Sequence, residues 1–397
     1  MRELDVSGKT VVVRADFDVP FNPDGTIADD YRIEQALPTI LGLQEQGAAH
    51  LYLIAHLGQP VNRPKELVEH VATGNARLTM KPVAVRLREL LGEHIDELET
   101  IRIAGIDLPA YPITPTITLL ENLRFDWRES KNDPTFAEEL AALGDCYVYD
   151  AFAVAHREHA STVGAIAQSA ESAAGIHLMK EVVEISKLKA SIQHPYVVIL
   201  GGAKIESKLP VIEQLIENVD TFLLGGVMAN TFAKSQGYDI KRSTVEPEQI
   251  GLAVELYKEH PEKFILPEDY VWQNEKIMDV GLKTREIFKA KIAEAKTVFW
   301  NGTLGVTSLT AQEFTFGTND IAQAIADNKD ALTIVSGGDT VGQVNEAKIS
   351  LDNYSFVSTG GGATMEFLAG KELPALKALG YEPRQPSRTL GDDTATS

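Results

Sequence analysis

The chain has 397 residues, 44% of them hydrophobic and 24% charged, with 30 glycines and 18 prolines, a composition that excludes collagen, a long coiled coil and global disorder. That length calls for about two domains of roughly 200 residues each rather than a single core. The net charge of −20 creates a field that repels nucleic acid and acidic membranes, so neither is an expected partner.

In chain order, the acidic, polar start predicts no secretory signal. Apolar, β-branched runs follow at Thr10–Arg14, His50–Ala55, Thr116–Leu120, Cys146–Tyr149, Tyr196–Leu200, Thr221–Leu224, Thr297–Trp300 and Leu332–Val335. Short continuous runs of this kind predict strands buried on both faces. Thr135–Leu143 and Leu209–Ile216, with apolar residues three and four apart, predict helices. Alternating strands and helices imply an α/β fold with parallel sheets and right-handed crossovers. His177–Ala190 reads as a long amphipathic helix, followed by fresh βα units. The expected division is therefore residues 1–176, a connecting helix over 177–192, a second α/β domain over 193–380, and a tail over 381–397 whose polar end frays. No run of about 18 apolar residues predicts a membrane span. The single cysteine, Cys146, fits a reducing cytoplasm and a buried core position.

Open α/β sheets bind ligands beyond the carboxyl ends of their strands. In the first half those positions carry Arg14, Asp16, Asp18, His56, Arg124, His156 and Arg157, with Arg32 on a nearby element end. Guanidinium forks suit bidentate binding of carboxylate or phosphate. In so acidic a chain, a converging set would reverse the field locally for an anion, although each arginine alone is more often a surface ion-pair partner. In the second half the same positions carry glycines: Gly201, Gly202, Gly225, Gly226, Gly302, Gly337, Gly338, Gly360 and Gly361, with Lys204, Lys208 and Asp339 among them. Repeated glycine turns leading into helices point to a phosphate cradle, whereas one such pair would serve only a tight turn. Lys204 and Lys208 share a face if a helix starts there. Asp339 suits either Mg²⁺ with nucleotide phosphates or a helix cap. Neither the P-loop nor the dinucleotide-binding pattern is present, His156 and His159 lack a third metal ligand, and no acyl-transfer triad is arranged.

Together these segments resemble the phosphoglycerate kinases. The resemblance runs from about residue 8 to about residue 380 and rests on Arg14–Pro20, Asp29–Ile33, Leu120–Phe125, Asp150–Arg157, Gly201–Lys204, Trp300–Gly302, Gly337–Thr340 and Ser358–Ala363, in that order. It implies two Rossmann-like parallel-sheet domains closing over a cleft, with the C-terminal segment returning to the first. It implies transfer of a phosphoryl group between 1,3-bisphosphoglycerate and ADP, with Mg²⁺ carried on the nucleotide; a monomer is expected, although the charge fits a dimer equally. By this resemblance Arg32, Lys204, Gly360 and Gly361 match catalytic positions. Asp16, Asp18, Arg32, His56, Gln59, Arg124, His156 and Arg157 match the glycerate site. Gly202, Ala203, Lys204, Lys208, Gly226, Asn301, Gly302, Leu304, Gly337, Gly338, Asp339 and Thr340 match the nucleotide site, with Asp339 as the Mg²⁺ contact.

The chain also departs from the family pattern. Asp18 stands where asparagine is usual, and Gln59 where an arginine is expected, a loss of about 1.5–3 kcal/mol of phosphate binding unless Arg63 substitutes. Ser207, Thr303 and Ser308 replace an aspartate, a proline and an acidic residue around the nucleotide. Two other readings follow from these changes: a non-catalytic binding protein of the same fold, and a kinase for a different carboxylate.

Overall fold

The computed structural model describes residues 4–64, 66–94, 98–190, 192–203, 205–206, 208–307 and 314–382. Its first sheet contains β1 (Thr10–Ala15), β2 (His50–Ile54), β3 (Ile101–Arg102), β4 (Pro109–Thr114), β5 (Ile117–Leu120), β6 (Cys146–Asp150) and β7 (Ser172–Ala174). The spatial order is β3-β4-β5-β2-β1-β6-β7. The second sheet contains β8 (Tyr196–Leu200), β9 (Thr221–Leu224) and β10 (Phe264–Ile265). A hairpin of β11 (Tyr270–Gln273) and β12 (Lys276–Val280) precedes β13 (Thr297–Asn301), β14 (Leu332–Ser336) and β15 (Phe356–Ser358). The second sheet runs β10-β9-β8-β13-β14-β15.

Every run read as a strand forms one, and the central pairs are parallel. Val11, Val12 and Val13 are all at most 1% exposed, since helices cover both faces of the sheet. The first sheet is not wholly parallel. β4 runs antiparallel to both β5 and β3, because a short turn joins β4 to β5 and leaves no room for a crossover. Two prolines in β4 and the brevity of β3, β7 and β15 gave the sequence no period to read. Asn274 and Glu275, at φ 48° and 62°, form the tight turn between β11 and β12 that the right-handed strand twist favours.

The helix Ile176–Ala190 connects the two sheets. Side chains of the first domain hold its N-terminus. Ile176 N donates to Thr39 Oγ1 at 2.9 Å and Leu178 N to Asp150 Oδ1 at 2.8 Å, which satisfies amides that lack an intrahelical acceptor. One apolar cluster passes from Val12 and Ile54 through Leu178, Val182, Ile185 and Leu188 to Val198 and Phe222. The helix therefore packs into both cores.

Candidate active site

Strand ends of both sheets face one another across a cleft, and their chemistry differs. On the first-domain side, Arg14 closes β1 inside the protein with no exposed surface. Its Nε donates to Ser161 Oγ at 3.1 Å, Nη1 to Ala15 O at 2.6 Å, and Nη2 meets His56 Nδ1 at 3.1 Å. A guanidinium can only donate, so Nδ1 accepts and the His56 proton lies on Nε2, 3.5 Å from Asp18 Oδ2. Burial pushes the His56 imidazole down to about 4, with Arg14 and Arg124 acting the same way and Asp18 opposing. Burial also opposes ionisation of Asp18, yet His56, the Gly58 amide and Arg32 hold its carboxyl well below the usual carboxylate range.

Hydrogen bonds anchor the loop after β2 along its length. Asn122 brackets Leu57 through both its amide and its carbonyl, Arg124 Nη1 donates to Gly58 O at 2.7 Å, and Asn62 Nδ2 donates to Arg124 O at 2.5 Å. Gln59 and Arg63 are exposed on this loop, as is Arg157 beyond β6. The Arg14, Arg124 and Arg157 charges all act on His159, and burial is the first cause of its fall to about 3. Sequence reasoning missed part of this group. Arg14 was visible as a cation at the end of an apolar run, but its full burial and its contact with His56 were not. Glu129, also without exposed surface, accepts from Ser161 N and Oγ at 3.0 and 2.6 Å, and no signal in the sequence marked it.

Arg32 lies on the first turn of the helix Tyr31–Glu45 and spans the cleft. Nη1 donates to both Asp16 oxygens, at 3.1 and 3.0 Å, and Nη2 to Thr359 O at 2.9 Å. A Cβ placed on Gly338 would lie 3.4 Å from Nη2. His156 approaches the second domain as well. Its Nε2 would lie 3.3 Å from a Cβ on Gly362, burial pushes its imidazole down to about 4, and Nδ1 has no partner among the described residues.

In the second domain the glycine loops press on one another. A Cβ on Gly201 would lie 2.1 Å from Thr303 O, and one on Gly226, at φ 56°, 2.8 Å from Gly202 N and O. Gly202 N donates to Thr303 O at 2.7 Å and Gly226 N to Leu304 O at 3.0 Å. Gly302 N donates to Thr340 Oγ1 at 2.9 Å, and Asn301 Nδ2 to Ser336 O at 3.0 Å. A Cβ on Gly361 would stand 3.7 Å from Gly337 Cα, and Ser336 Oγ donates to Gly360 O. Lys208 Nζ points into this cradle, donating to Gly201 O and, at 3.3 Å, to Asn301 O. Burial lowers its ammonium to about 8, and Asp339 opposes the fall. Lys208 occupies the N-cap position just before the helix Leu209–Leu215 rather than a turn within it. Lys204, Ser207 and Ser308 lie outside the described residues, as does the tail from 383, while Ala203 is exposed. Asp339 is exposed on the first turn of the helix Gly338–Glu346, and no hydrogen bond engages its carboxylate among the described residues.

Comparison with known proteins agrees with this geometry. A family model described as phosphoglycerate kinase matches residues 1–371. A phosphoglycerate kinase of Dictyoglomus turgidum is 40% identical over 402 residues, covering 96% of this chain and 97% of its own length. One of Koribacter versatilis is 38% identical over 409 residues, covering 96% and 98%. Among solved structures, phosphoglycerate kinase from Pyrococcus horikoshii superposes with TM-score 0.78 at 31% identity, covering 95% of this chain and 97% of its own. The enzyme from Coxiella burnetii gives 0.71 at 35% with the same coverage. The family model and relatives about 40% identical along nearly the whole chain show that this chain belongs to the phosphoglycerate kinase family.

Proposed function

We propose that the chain catalyses reversible phosphoryl transfer from 1,3-bisphosphoglycerate to ADP, giving 3-phosphoglycerate and ATP, a step of glycolysis. The supporting observation is Arg32, fixed between Asp16 of the first domain and the Thr359 carbonyl of the second. Phosphoryl transfer needs mainly in-line positioning and neutralisation of charge on the transferred group, and a guanidinium held between the two half-sites supplies both. The leaving carboxylate needs no general acid.

In this reading His56, Arg124 and Arg157 form the pocket that holds the anionic glycerate, with His156 at its edge. Arg14 and neutral His56 orient Asp18 and the loop carrying Gln59. Backbone amides of the glycine turns receive the nucleotide phosphates, with Lys208 beneath them and the Gly360–Gly361 turn at the transferred group; Lys204, outside the described residues, takes its role there from the family resemblance alone. The exposed Asp339 carboxylate, which accepts no hydrogen bond among the described residues, fits the one-carboxylate holding that Mg²⁺ accepts in nucleotide sites. When bound there, Mg²⁺ would neutralise phosphate charge. Domain boundaries near residues 176 and 193, a monomeric state and a cytoplasmic setting complete the reading. Among the described residues no helix is long and apolar enough to cross a membrane.

A coupled assay with 3-phosphoglycerate, ATP and Mg²⁺, read through reduction of the acyl phosphate product, tests the proposal. Turnover that is lost in Arg32→Ala supports it. Absence of turnover in the wild-type chain, with ATP still bound in calorimetry, would overturn it.

A further inference from the structure

Next to Arg32 lies a buried polar group that the reaction does not obviously require. His177 and Glu181 sit one turn apart on the helix Ile176–Ala190, 5% and 0% exposed, and both turn toward Thr359 of the second domain. Glu181 Oε1 accepts from Thr359 N at 2.6 Å and from Thr359 Oγ1 at 2.8 Å. His177 Nε2 lies 3.0 Å from the same hydroxyl. A threonine hydroxyl has a single hydrogen, and Glu181 Oε1 can only accept it. The His177 contact must therefore run from Nε2–H to the Thr359 lone pair.

Nε2 of His177 therefore carries a proton, and burial, which pushes the imidazole down to about 4, keeps Nδ1 without one. Among the described residues neither its Nδ1 nor Glu181 Oε2 meets a hydrogen-bond partner. If Glu181 takes up a proton, Oε2 carries it and Oε1 still accepts, so the arrangement survives either charge state. Asp16, Lys180 and Arg32 are the other charged groups acting on His177. Thr359 is thus fixed through its amide and hydroxyl, leaving its carbonyl free to receive Arg32 Nη2 at 2.9 Å.

We propose that His177 is a positioning residue for phosphoryl transfer: by holding the Thr359 hydroxyl against Glu181 it sets the carbonyl that aims Arg32 across the cleft. The inference rests on the role given to Arg32 above. A small misplacement of such a group lowers turnover more than substrate binding, because the contact matters most in the transition state.

His177→Leu keeps bulk and removes the donor, His177→Gln retains a donor, and Thr359→Val removes the receiving hydroxyl. Steady-state kinetics should show kcat about tenfold lower in His177→Leu and Thr359→Val, with both KM values within about twofold of wild type. His177→Gln should recover most of the loss. Combined with Arg32→Ala, His177→Leu should add nothing further, since both changes act on one contact. Melting curves identify any variant that fails to fold, in which case Thr359→Val carries the test. Wild-type kcat in folded His177→Leu or Thr359→Val, no recovery in His177→Gln, or a full additional loss on the Arg32→Ala background would each overturn the inference. Wild-type turnover in Arg32→Ala would instead overturn the role of Arg32 itself.

Discussion

Lys208 illustrates how burial tunes a single residue. Its ammonium is enclosed by backbone carbonyls and lowered to about 8, so it loses its charge well before an exposed lysine would. Because the charged form is the one that attracts phosphate, ADP affinity should fall as pH rises through about 8. Calorimetry between pH 7 and 9.5 should show that limb in the wild type and not in Lys208→Met, whose affinity should be lower by about 10- to 100-fold. Glu181 titrates in the opposite sense. Burial raises its carboxyl from 4.5 to about 7, so the folded state holds its proton more tightly than the unfolded chain does. Stability from this group is therefore complete below pH 4.5 and is lost as pH rises through 7. Glu181→Gln should gain about 1–2 kcal/mol over wild type between pH 5 and 8, read from urea midpoints at both values.

At the scale of elements, the glycine turns distinguish backbone strain from close approach. Gly226 and Gly237 both have positive φ, at 56° and 83°. A Cβ on Gly226 would strike the Gly202 backbone, whereas one on Gly237 would meet open space. Both alanine substitutions should cost about 1 kcal/mol of strain, but only Gly226→Ala should also abolish measurable ADP binding. Binding lost equally in Gly237→Ala would contradict the cradle. The turn before the connecting helix follows the same logic, since a Cβ on Gly175 would lie 2.2 Å from Asp150 Oδ1 and displace the carboxylate that caps the helix. The sequence showed glycines at strand ends; which glycine touches which backbone depended on how the turns stack.

Across the whole molecule, the helix Tyr31–Glu45 and the residues just before it reach the second domain through polar contacts, beside the Tyr31 ring packed on that domain's core. Tyr31 Oη donates to Val357 O at 3.1 Å, Arg32 to Thr359 O, and Asn345 to Asp29 just before that helix. Interfaces of that kind permit relative domain motion, and substrates bound on both sides supply further contacts between them. Solution scattering should show a smaller radius of gyration with 3-phosphoglycerate and a non-hydrolysable ATP analogue than without ligand. Tyr31→Phe combined with Asn345→Ala should reduce the difference. Identical profiles with and without ligands would contradict closure.

The sequence alone determined the alternation of strands and helices, the buried central strands of both sheets, and the division between arginine-bearing and glycine-bearing loops. These follow from local periodicity and from the rule that strand ends face ligand, which need no knowledge of long-range contacts. The tertiary structure decided the rest: the burial of Arg14 against His56, the antiparallel edge at β4, the proton position on His177, and the meeting of Arg32 with Thr359 across 327 residues of chain. A side chain's partners and charge state depend on which segments are brought together in space, and those distances along the chain leave no local pattern to read.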